Sequence, residues 1–371
     1  MQKESSSASS SSHSSNSSLF LNEVTMKIAA FNMKNLGQKK VSDKKVVNHL
    51  IKIMSQYSIV VILEVMDKSG EAMKLLLEKL NSSRSVHTVR CLSHRSRCRR
   101  SADGDSSRMR AHRLSVSLSQ NKESPYGMIC SKSLGRDTYK EKYVCFYRTE
   151  EVELKDSKQY ADDQPGDEDA FAREPFILRF SCPSTAVKDL VLIPVHTVPE
   201  DAEKELDELF DVVTEVSREW ETDNIMILGD FNADGRYLSK KGKKKIRIHQ
   251  APFYWLIDDD VDTTTRTSND NTYDRIVVHG QTLLDAVLPG SAKAFNFQEK
   301  FKLTEEEALS ISDHYPVEVE LRPSSKKRRA QTPKTRAPKK KAAVKRKCEA
   351  AKAPAKAPAK APAKAAAKKR R

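Results

Sequence analysis

The sequence has few features that would place the chain in a membrane or an oxidising compartment. No stretch approaches the ~18 consecutive apolar residues that a membrane-spanning helix needs. Residues 1–25 contain no apolar run of about 7–15 residues, which a secretory signal requires. Six cysteines show no framework spacing, which fits a reducing compartment: Cys91, Cys98, Cys130, Cys145, Cys182 and Cys348. We therefore expect an intracellular protein with no membrane partner.

Positive charge is concentrated at one end of the chain. The 371 residues include 66 Lys and Arg against 51 Asp and Glu, a net charge of +15. Residues 324–371 hold 20 of the basic residues and one acidic residue, so the rest of the chain is mildly acidic, at −4. The Ala-Lys-Ala-Pro repeat of this segment cannot bury a core. Its clusters of lysine and arginine are typical of nuclear import or nucleic-acid binding.

Composition divides the chain into segments. Residues 1–25 are Ser-rich and predicted to be disordered, residues 26–322 are predicted to form one globular domain, and residues 323–371 a disordered Lys/Ala/Pro-rich tail. Within the domain, a basic segment at about 82–132 interrupts the pattern of apolar runs and predicts a disordered insertion. Its arginines would add a contact with a DNA backbone, but a retained intron in the gene model explains the segment equally well.

Six short apolar runs end in, or lead from, a polar residue suited to metal or phosphate chemistry. Such runs predict buried strands, and α/β proteins bind ligands in crevices at strand ends. In the run IMILGDFNAD, Asp230 and Asn232 would point the same way if the chain stays extended, although a strand followed by an Asx turn also explains them. The other polar residues at such positions are Asn32, Glu64, His196, Asp274 and the pair Asp313-His314.

Apolar spacing predicts the helices around these strands. Three helices are expected, at 46–54, 72–80 and 202–220. A strand at 58–65 would deliver Glu64, and a strand at 134–147 would carry Tyr139 and Glu141 on one face.

Seven short motifs occur along the chain in the order in which a known family carries them: KIAAFN at 27–32, LGRDTYKE at 134–141, REP at 173–175, GDFNAD at 229–234, YDRI at 273–276, KLTEEEAL at 302–309 and SDHYPV at 312–317. On these motifs the sequence resembles the deoxyribonuclease I family of the endonuclease/exonuclease/phosphatase superfamily, and most of all its gamma-type members. The resemblance covers about residues 26–321. It implies an α/β fold, a four-layer sandwich of two mixed β-sheets flanked by helices.

The resemblance implies a divalent-metal-dependent DNA endonuclease that leaves 5′-phosphate ends with little sequence preference. Two histidines would handle protons, each oriented by a carboxylate, and which is acid and which is base stays open. Asn232 would contact the scissile phosphate or orient the attacking water. The implied catalytic residues are His196 with Glu141, His314 with Asp274, and Asp230 with Asn232.

Metal ions are also implied. Mg²⁺ prefers oxygen ligands, and the matching positions are Glu64, Asn32, Asp313 and Asp230. The resemblance places structural Ca²⁺ at Asp163, Asp169, Phe171 (through its carbonyl) and Glu174, and again at Asp262 and Thr264. A plain Thr-rich turn explains the last pair equally well.

DNA contacts are implied for Tyr139 against a minor-groove sugar, for Arg173 near a phosphate, and for Asn232. Two positions depart from deoxyribonuclease I. Met66 replaces an arginine that reaches into the minor groove, and Phe176 replaces a small residue where actin binds, so we do not expect actin binding.

Both cysteines of the family disulfide are absent. The matching positions are Gly235 and Asn271. Losing such a bridge typically costs about 2–5 kcal/mol, so other packing must compensate.

We therefore expect a monomeric nuclear enzyme whose partner is DNA or chromatin. Two alternatives are a chromatin-binding protein whose nuclease body has decayed, and a phosphoesterase of the same fold with another substrate.

Overall fold

The computed structural model describes residues 25–83, 125–163 and 168–324. The predicted Ser-rich terminus, most of the predicted insertion and nearly all of the tail lie outside these residues. Their predicted disorder therefore stays a prediction.

The described residues form twelve strands, eight α-helices and two short 3₁₀ helices, Pro199–Asp201 and Arg247–His249. The strands are β1 (Met26–Leu36), β2 (Ile59–Val65), β3 (Tyr126–Cys130), β4 (Lys142–Arg148), β5 (Glu153–Gln159), β6 (Phe176–Ser181), β7 (Asp189–His196), β8 (Ile225–Asp230), β9 (Phe253–Trp255), β10 (Asp274–His279), β11 (Lys293–Ala294) and β12 (Val317–Leu321). The helices are α1 (Gln38–Ser42), α2 (Lys44–Met54), α3 (Glu71–Ser82), α4 (Ala202–Trp220), α5 (Lys240–Lys243), α6 (Gln281–Ala286), α7 (Phe297–Phe301) and α8 (Glu305–Ile311).

The strands form two mixed six-stranded sheets. Their orders are β11-β12-β1-β2-β4-β3 and β5-β6-β7-β8-β10-β9. The central pairs β1–β2 and β7–β8 are parallel, and the remaining pairs are antiparallel. With helices packed on the outer faces, this arrangement confirms the predicted four-layer α/β sandwich.

Both faces of the central strands are buried. In β1, Ile28 and Ala30 face the core between the sheets, whereas Ala29 and Phe31 face the outer core that includes residues of α2 and α3. A third core lies between the second sheet and α4. Strands buried on two faces need apolar residues at every position, which is why they appear as unbroken apolar runs.

The three predicted helices are present. α4 has the predicted bounds, and α2 begins at Lys44 because the Asp43 carboxylate accepts hydrogen bonds from the backbone N–H groups of Lys45 and Val46. No helix in the described ranges is long and apolar enough to cross a bilayer.

Two predicted boundaries are wrong. The strand expected at 134–147 begins only at Lys142, and Leu134 pairs with Glu141 in an isolated bridge that closes a loop around Tyr139. The insertion expected to reach 132 ends earlier, because Tyr126–Cys130 is the edge strand β3, paired with β4. A short strand at the sheet edge gives little periodic signal in the sequence.

Candidate active site

The candidate site lies at one edge of the sandwich, where the two sheets meet. β1 and β2 contribute Asn32 and Glu64, and β7 and β8 end at His196 and Asp230. A hydrogen bond of 3.1 Å from Asn32 Nδ2 to Asp230 Oδ2 joins the two sheets directly. Each sheet therefore supplies half of the site.

The backbone at this edge is irregular. Asn32 and Glu64 were expected to end their strands, but they lie beside shifts of register within β1 and β2. Four of the seven non-glycine residues with positive φ in the described chain lie here: Lys34 (36°), Asn35 (54°), Glu64 (54°) and Asn232 (46°). Such conformations cost about 1–3 kcal/mol each and cluster at functional sites, where bulges redirect side chains.

Gly229 allows β7 and β8 to approach closely just before the site. Its φ is +141°, and a Cβ at this position would lie 2.1 Å from the carbonyl oxygen of Val195. Only glycine fits, and the close approach sets His196 opposite Asp230 in the parallel register.

His196 is oriented by a buried acid. Its Nδ1 lies 2.6 Å from Glu141 Oε1, and its backbone N–H donates to the hydroxyl of Tyr143 at 3.0 Å. Burial opposes protonation, but the Glu141 carboxylate outweighs burial and raises the pKa of His196 above its usual value. Nε2 is left facing the site.

His314 is built in the same way. Its Nδ1 lies 2.7 Å from Asp274 Oδ2, and its backbone N–H donates to Ser312 Oγ at 3.2 Å. Burial again opposes protonation, but the negative charges of Asp274 and Asp230 outweigh it and raise the pKa of His314 to about 10. The two predicted histidine–carboxylate pairs are both present in the structure.

The two imidazoles converge on one oxygen. His196 Nε2 and His314 Nε2 each lie 3.7 Å from Asp230 Oδ2. Because each Nδ1 faces its own carboxylate, Nε2 is the atom through which each ring can exchange a proton with the space around Asp230.

The predicted metal ligands lie around the same point. Asn32 Nδ2 also donates to Glu64 Oε1 at 2.9 Å, and Glu64 Oε2 accepts from the backbone N–H of Asn35 at 3.0 Å. Asp313 forms an ion pair with Lys34. Within the described ranges, one group of three residues brings its ligand atoms within 4.8 Å of one another: Asp230, Asp274 and His314.

The donor set fits a hard divalent cation. Five carboxylates lie in or directly behind the site. Two of them form ion pairs with basic side chains, Asp313 with Lys34 and Glu141 with Arg173. Oxygen-rich, net-negative sites of this kind suit Mg²⁺ or Ca²⁺. The carboxylates are Glu64, Glu141, Asp230, Asp274 and Asp313.

Asn232 lies beside the site on a turn. Its φ is +46°, its backbone N–H donates to Asp230 Oδ1 at 3.0 Å, and its side-chain amide donates to the carbonyl of Thr197 at 3.0 Å. The expectation of an extended chain at 230–232 is therefore wrong, and the Asx turn is correct.

The two expected DNA-contact residues differ in accessibility. Tyr139 is 41% exposed at the mouth of the site, with its hydroxyl 3.4 Å from Asn35 Oδ1. Arg173 is turned inward: its Nε lies 2.8 Å from Glu141 Oε1, and its Nη1 donates to the carbonyl of His196 at 3.1 Å. Arg173 therefore supports the Glu141–His196 pair, and its contact with a phosphate stays a prediction.

Two side chains near the first expected calcium site have other partners in the described residues, and calcium binding there stays a prediction. The carboxylate of Asp169 pairs with Arg136 Nε at 3.0 Å, and Asp162 rather than Asp163 accepts the backbone N–H of Phe171, at 2.7 Å. Within the described residues, Asp163, Asp169 and Glu174 do not form a converging group of ligands.

The second expected calcium site is a turn. Asp262 Oδ1 lies 2.8 Å from both the backbone nitrogen and the hydroxyl of Thr264. These contacts are those of an Asx turn in which the Thr264 hydroxyl also donates to Asp262, and calcium binding by this pair stays a prediction.

The positions that match the missing disulfide are neighbours. A Cβ built on Gly235 would lie 3.0 Å from Asn271 Oδ1. Here the two segments are joined by a hydrogen bond of 2.9 Å from the backbone N–H of Thr272 to Asp234 Oδ2.

Sequence reasoning missed three residues that support the site. Tyr143 accepts the backbone N–H of His196, Lys34 neutralises Asp313, and Glu205 of α4 accepts a hydrogen bond of 3.2 Å from the backbone N–H of Val198. Its position two residues after Asn32 could have marked Lys34 as a site residue. No nearby sequence motif marks Tyr143 or Glu205 in this way.

Comparison with known proteins identifies the family. A model described as the Endonuclease/Exonuclease/phosphatase family matches residues 29–314. Deoxyribonuclease gamma of Homo sapiens is 39% identical over 302 residues, covering 81% of this chain and 87% of the relative. Deoxyribonuclease-1-like 1 is 42% identical over 297 residues in Homo sapiens (80% of this chain, 84% of the relative) and 44% over 298 residues in Bos taurus (80% and 81%). This chain belongs to the deoxyribonuclease I family, within the Endonuclease/Exonuclease/phosphatase family.

Proposed function

We propose that this protein is a divalent-metal-dependent DNA endonuclease that hydrolyses phosphodiester bonds with low sequence specificity and leaves 5′-phosphate ends. The observation that carries the proposal is the convergence of His196 Nε2 and His314 Nε2 on one oxygen of Asp230. The names of the relatives, which are deoxyribonucleases, supply the substrate class.

Hydrolysis of a phosphodiester needs a base for the attacking water and an acid for the leaving oxygen. Each imidazole has its Nδ1 on a carboxylate and its Nε2 near Asp230. One Nε2 accepts the proton of the water, and the other donates a proton to the leaving oxygen. Glu141 and Asp274 hold the protons at Nδ1 and keep each ring in the productive tautomer. Asn232 lies close enough to Asp230 to orient the water or a phosphate oxygen.

Glu64, Asn32, Asp230 and Asp313 are the residues that would hold Mg²⁺, with Ca²⁺ assisting. When bound, the cation acts as a Lewis acid on the phosphate oxygens. The chain's own contribution is to fix these ligands: Asn32 holds Glu64 and Asp230 together, and the backbone of Asn35 fixes the second oxygen of Glu64.

The test is nicking of supercoiled DNA with Mg²⁺ and Ca²⁺, with and without EDTA. Glu64→Ala should abolish nicking, and His196→Ala and His314→Ala should each lower its rate by about 10²–10⁴-fold, while the far-UV circular dichroism of all three stays unchanged. His279→Ala is the matched control, because His279 lies at the other end of β10 from Asp274 and should nick like the wild type. Full activity in any of the three site variants overturns the assignment. Ligation of the products without prior kinase treatment tests for 5′-phosphate ends.

The same assay separates the alternatives. A folded protein that binds but never cleaves DNA would be a chromatin-binding protein with a decayed nuclease body. Cleavage confined to abasic DNA or to small phosphate esters would indicate another substrate on the same fold. The paired histidines favour general DNA cleavage, because a decayed site has no need to retain both carboxylate partners.

We also propose that the protein is monomeric and acts on chromatin in the nucleus, with residues 324–371 as an electrostatic DNA-binding tail. Six phosphate contacts from its basic residues would lose roughly a thousandfold in affinity between 50 and 200 mM salt. Deleting residues 324–371 should spare catalysis, flatten this salt dependence and shift the protein towards the cytoplasm. An unchanged salt slope with unchanged nuclear localisation would show the tail to be inert.

A further inference from the structure

A row of neighbouring aromatic side chains leads from the active site to an exposed arginine. The rings of His314 and Tyr273 have centroids 6.4 Å apart, and those of Tyr273 and Tyr237 are 5.6 Å apart. The guanidinium of Arg236 lies over the Tyr237 ring, 4.9 Å from its centroid, and Nη2 donates to the Tyr237 hydroxyl at 2.9 Å. Three consecutive contacts therefore connect a catalytic histidine to a surface cation.

The segment that carries Arg236 is fixed in place. It follows Asn232 directly, and Asp234 Oδ2 accepts the backbone N–H of Thr272, which holds the turn against the start of β10. Asp234 Oδ1 also accepts the backbone N–H of Gly235 at 2.6 Å. The arginine is thus presented from a turn that Asp234 joins to the start of β10.

Arg236 makes no ion pair within the described residues that would explain its position. It is exposed, and within the described ranges it forms no salt bridge with a carboxylate. Arg247, in contrast, pairs with three carboxylates of α4 and is occupied in holding its loop. A guanidinium held in one orientation by an aromatic ring binds a phosphate with less loss of side-chain entropy than a free side chain does.

We propose that Arg236 is a phosphate-binding residue that extends the active site along the DNA backbone, with the aromatic rings of Tyr237 and Tyr273 behind it. The proposal rests on the proposed function, because it takes the scissile phosphate to lie at His314. The contact is to the sugar-phosphate backbone and carries no base preference. It adds affinity beyond the reacting group and helps to set how the strand enters the site.

The test measures binding of a labelled short duplex in EDTA as a function of KCl. Arg236→Gln should reduce the slope of log affinity against log salt by about 0.9, the value for one phosphate contact, and weaken binding equally on duplexes of different sequence. Arg236→Lys should keep most of the slope. Tyr237→Leu should remove most of the effect of Arg236→Gln, so that the two substitutions are not additive.

Lys52→Gln is the matched control. Lys52 is also an exposed cation over an aromatic ring, 5.8 Å from the centroid of Phe301, but it lies on α2 near the opposite end of the sheet from Glu64. Its substitution should leave the slope unchanged. An unchanged slope in Arg236→Gln, or an equal loss in Lys52→Gln, overturns the proposal. Binding is measured apart from nicking, so the two proposals can fail separately. If the wild-type protein binds DNA without cleaving it, the proposed function is contradicted, but the salt slopes still test whether Arg236 contacts a phosphate.

Discussion

His196 and His314 present equivalent atoms to the same oxygen: each Nε2 lies 3.7 Å from Asp230 Oδ2, while each Nδ1 is held by a separate carboxylate. The two rings come from different parts of the chain, one from the end of β7 and one from the loop before β12. Their symmetrical placement about Asp230 makes them a single proton-transfer unit.

Residues that act as a unit are not additive when they are removed. Each of His196→Ala and His314→Ala should lower kcat by about 10²–10⁴-fold, the usual contribution of general acid–base catalysis. The double variant should lose no more than about tenfold beyond the worse single variant. Single-turnover cleavage of one labelled duplex measures all three rates. A double variant whose loss equals the product of the two single losses would show that the rings act independently.

Glu205 should make stability depend on pH. Burial raises the pKa of its carboxyl from 4.5 to about 7, although the backbone N–H groups of Val198 and Ala172 favour the charged form. Between these values the folded state holds a proton that the unfolded state has released, so the free energy of unfolding falls as pH rises. At 1.36 kcal/mol per pKa unit, the loss is about 3 kcal/mol by pH 8.

Glu205→Gln removes the ionisation and should remove this loss. In urea denaturation the free energy of unfolding of the variant should exceed that of the wild type by about 3 kcal/mol at pH 8 and approach it near pH 4. Glu203→Gln, at an exposed position on the same helix, is the control and should follow the wild type. An equal difference between variant and wild type at both pH values would rule out the titration of Glu205 as its cause.

A disulfide should form between residues 235 and 271 if both are made cysteine. Closing a loop of about 35 residues favours folding by about 4 kcal/mol, and a non-glycine residue at the positive φ of Gly235 costs about 1–2 kcal/mol. Gly235→Cys/Asn271→Cys should therefore raise the free energy of unfolding by about 2 kcal/mol when oxidised. The gain should vanish in dithiothreitol, and neither single variant should show it. A double variant that stays reduced under oxidising conditions would contradict the proximity of the two segments.

Gly229→Ala should destabilise the protein by about 3 kcal/mol or more, because the new Cβ meets the carbonyl oxygen of Val195. Gly70→Ala is the matched control. Gly70 also has a positive φ, of +78°, but nothing lies within 4 Å of an added Cβ, so only the backbone penalty of about 1 kcal/mol remains. Thermal unfolding of the two variants measures the difference. Equal losses would mean that the close approach of β7 and β8 contributes nothing.

The central strands could be predicted from sequence because they are buried on both faces. Residues 225–228 are all apolar for that reason. The bounds of α4 could be predicted because its buried apolar residues recur at helical spacing among acidic residues. Both features are local and repeat along the chain. The histidine–carboxylate pairs came from the family resemblance, since no rule of spacing connects Glu141 with His196.

The details that shape the site could not be predicted in this way. The positive φ of Glu64 is imposed by tertiary contacts against the preference of a glutamate. The inward turn of Arg173 depends on Glu141, 32 positions earlier in the chain, and Tyr143 acts through the backbone N–H of His196 in another strand. Such contacts leave no periodic trace in the sequence.

The division of the site between the sheets has a mechanical consequence. Asn32 and Glu64 move with one sheet, and His196 and Asp230 move with the other. Any sliding of one sheet over the other changes the distance from Glu64 to the imidazoles before a single strand is lost. The packing of the core between the sheets thus sets the alignment of the catalytic groups, and the enzyme should become inactive on heating at a temperature where its secondary structure is still intact.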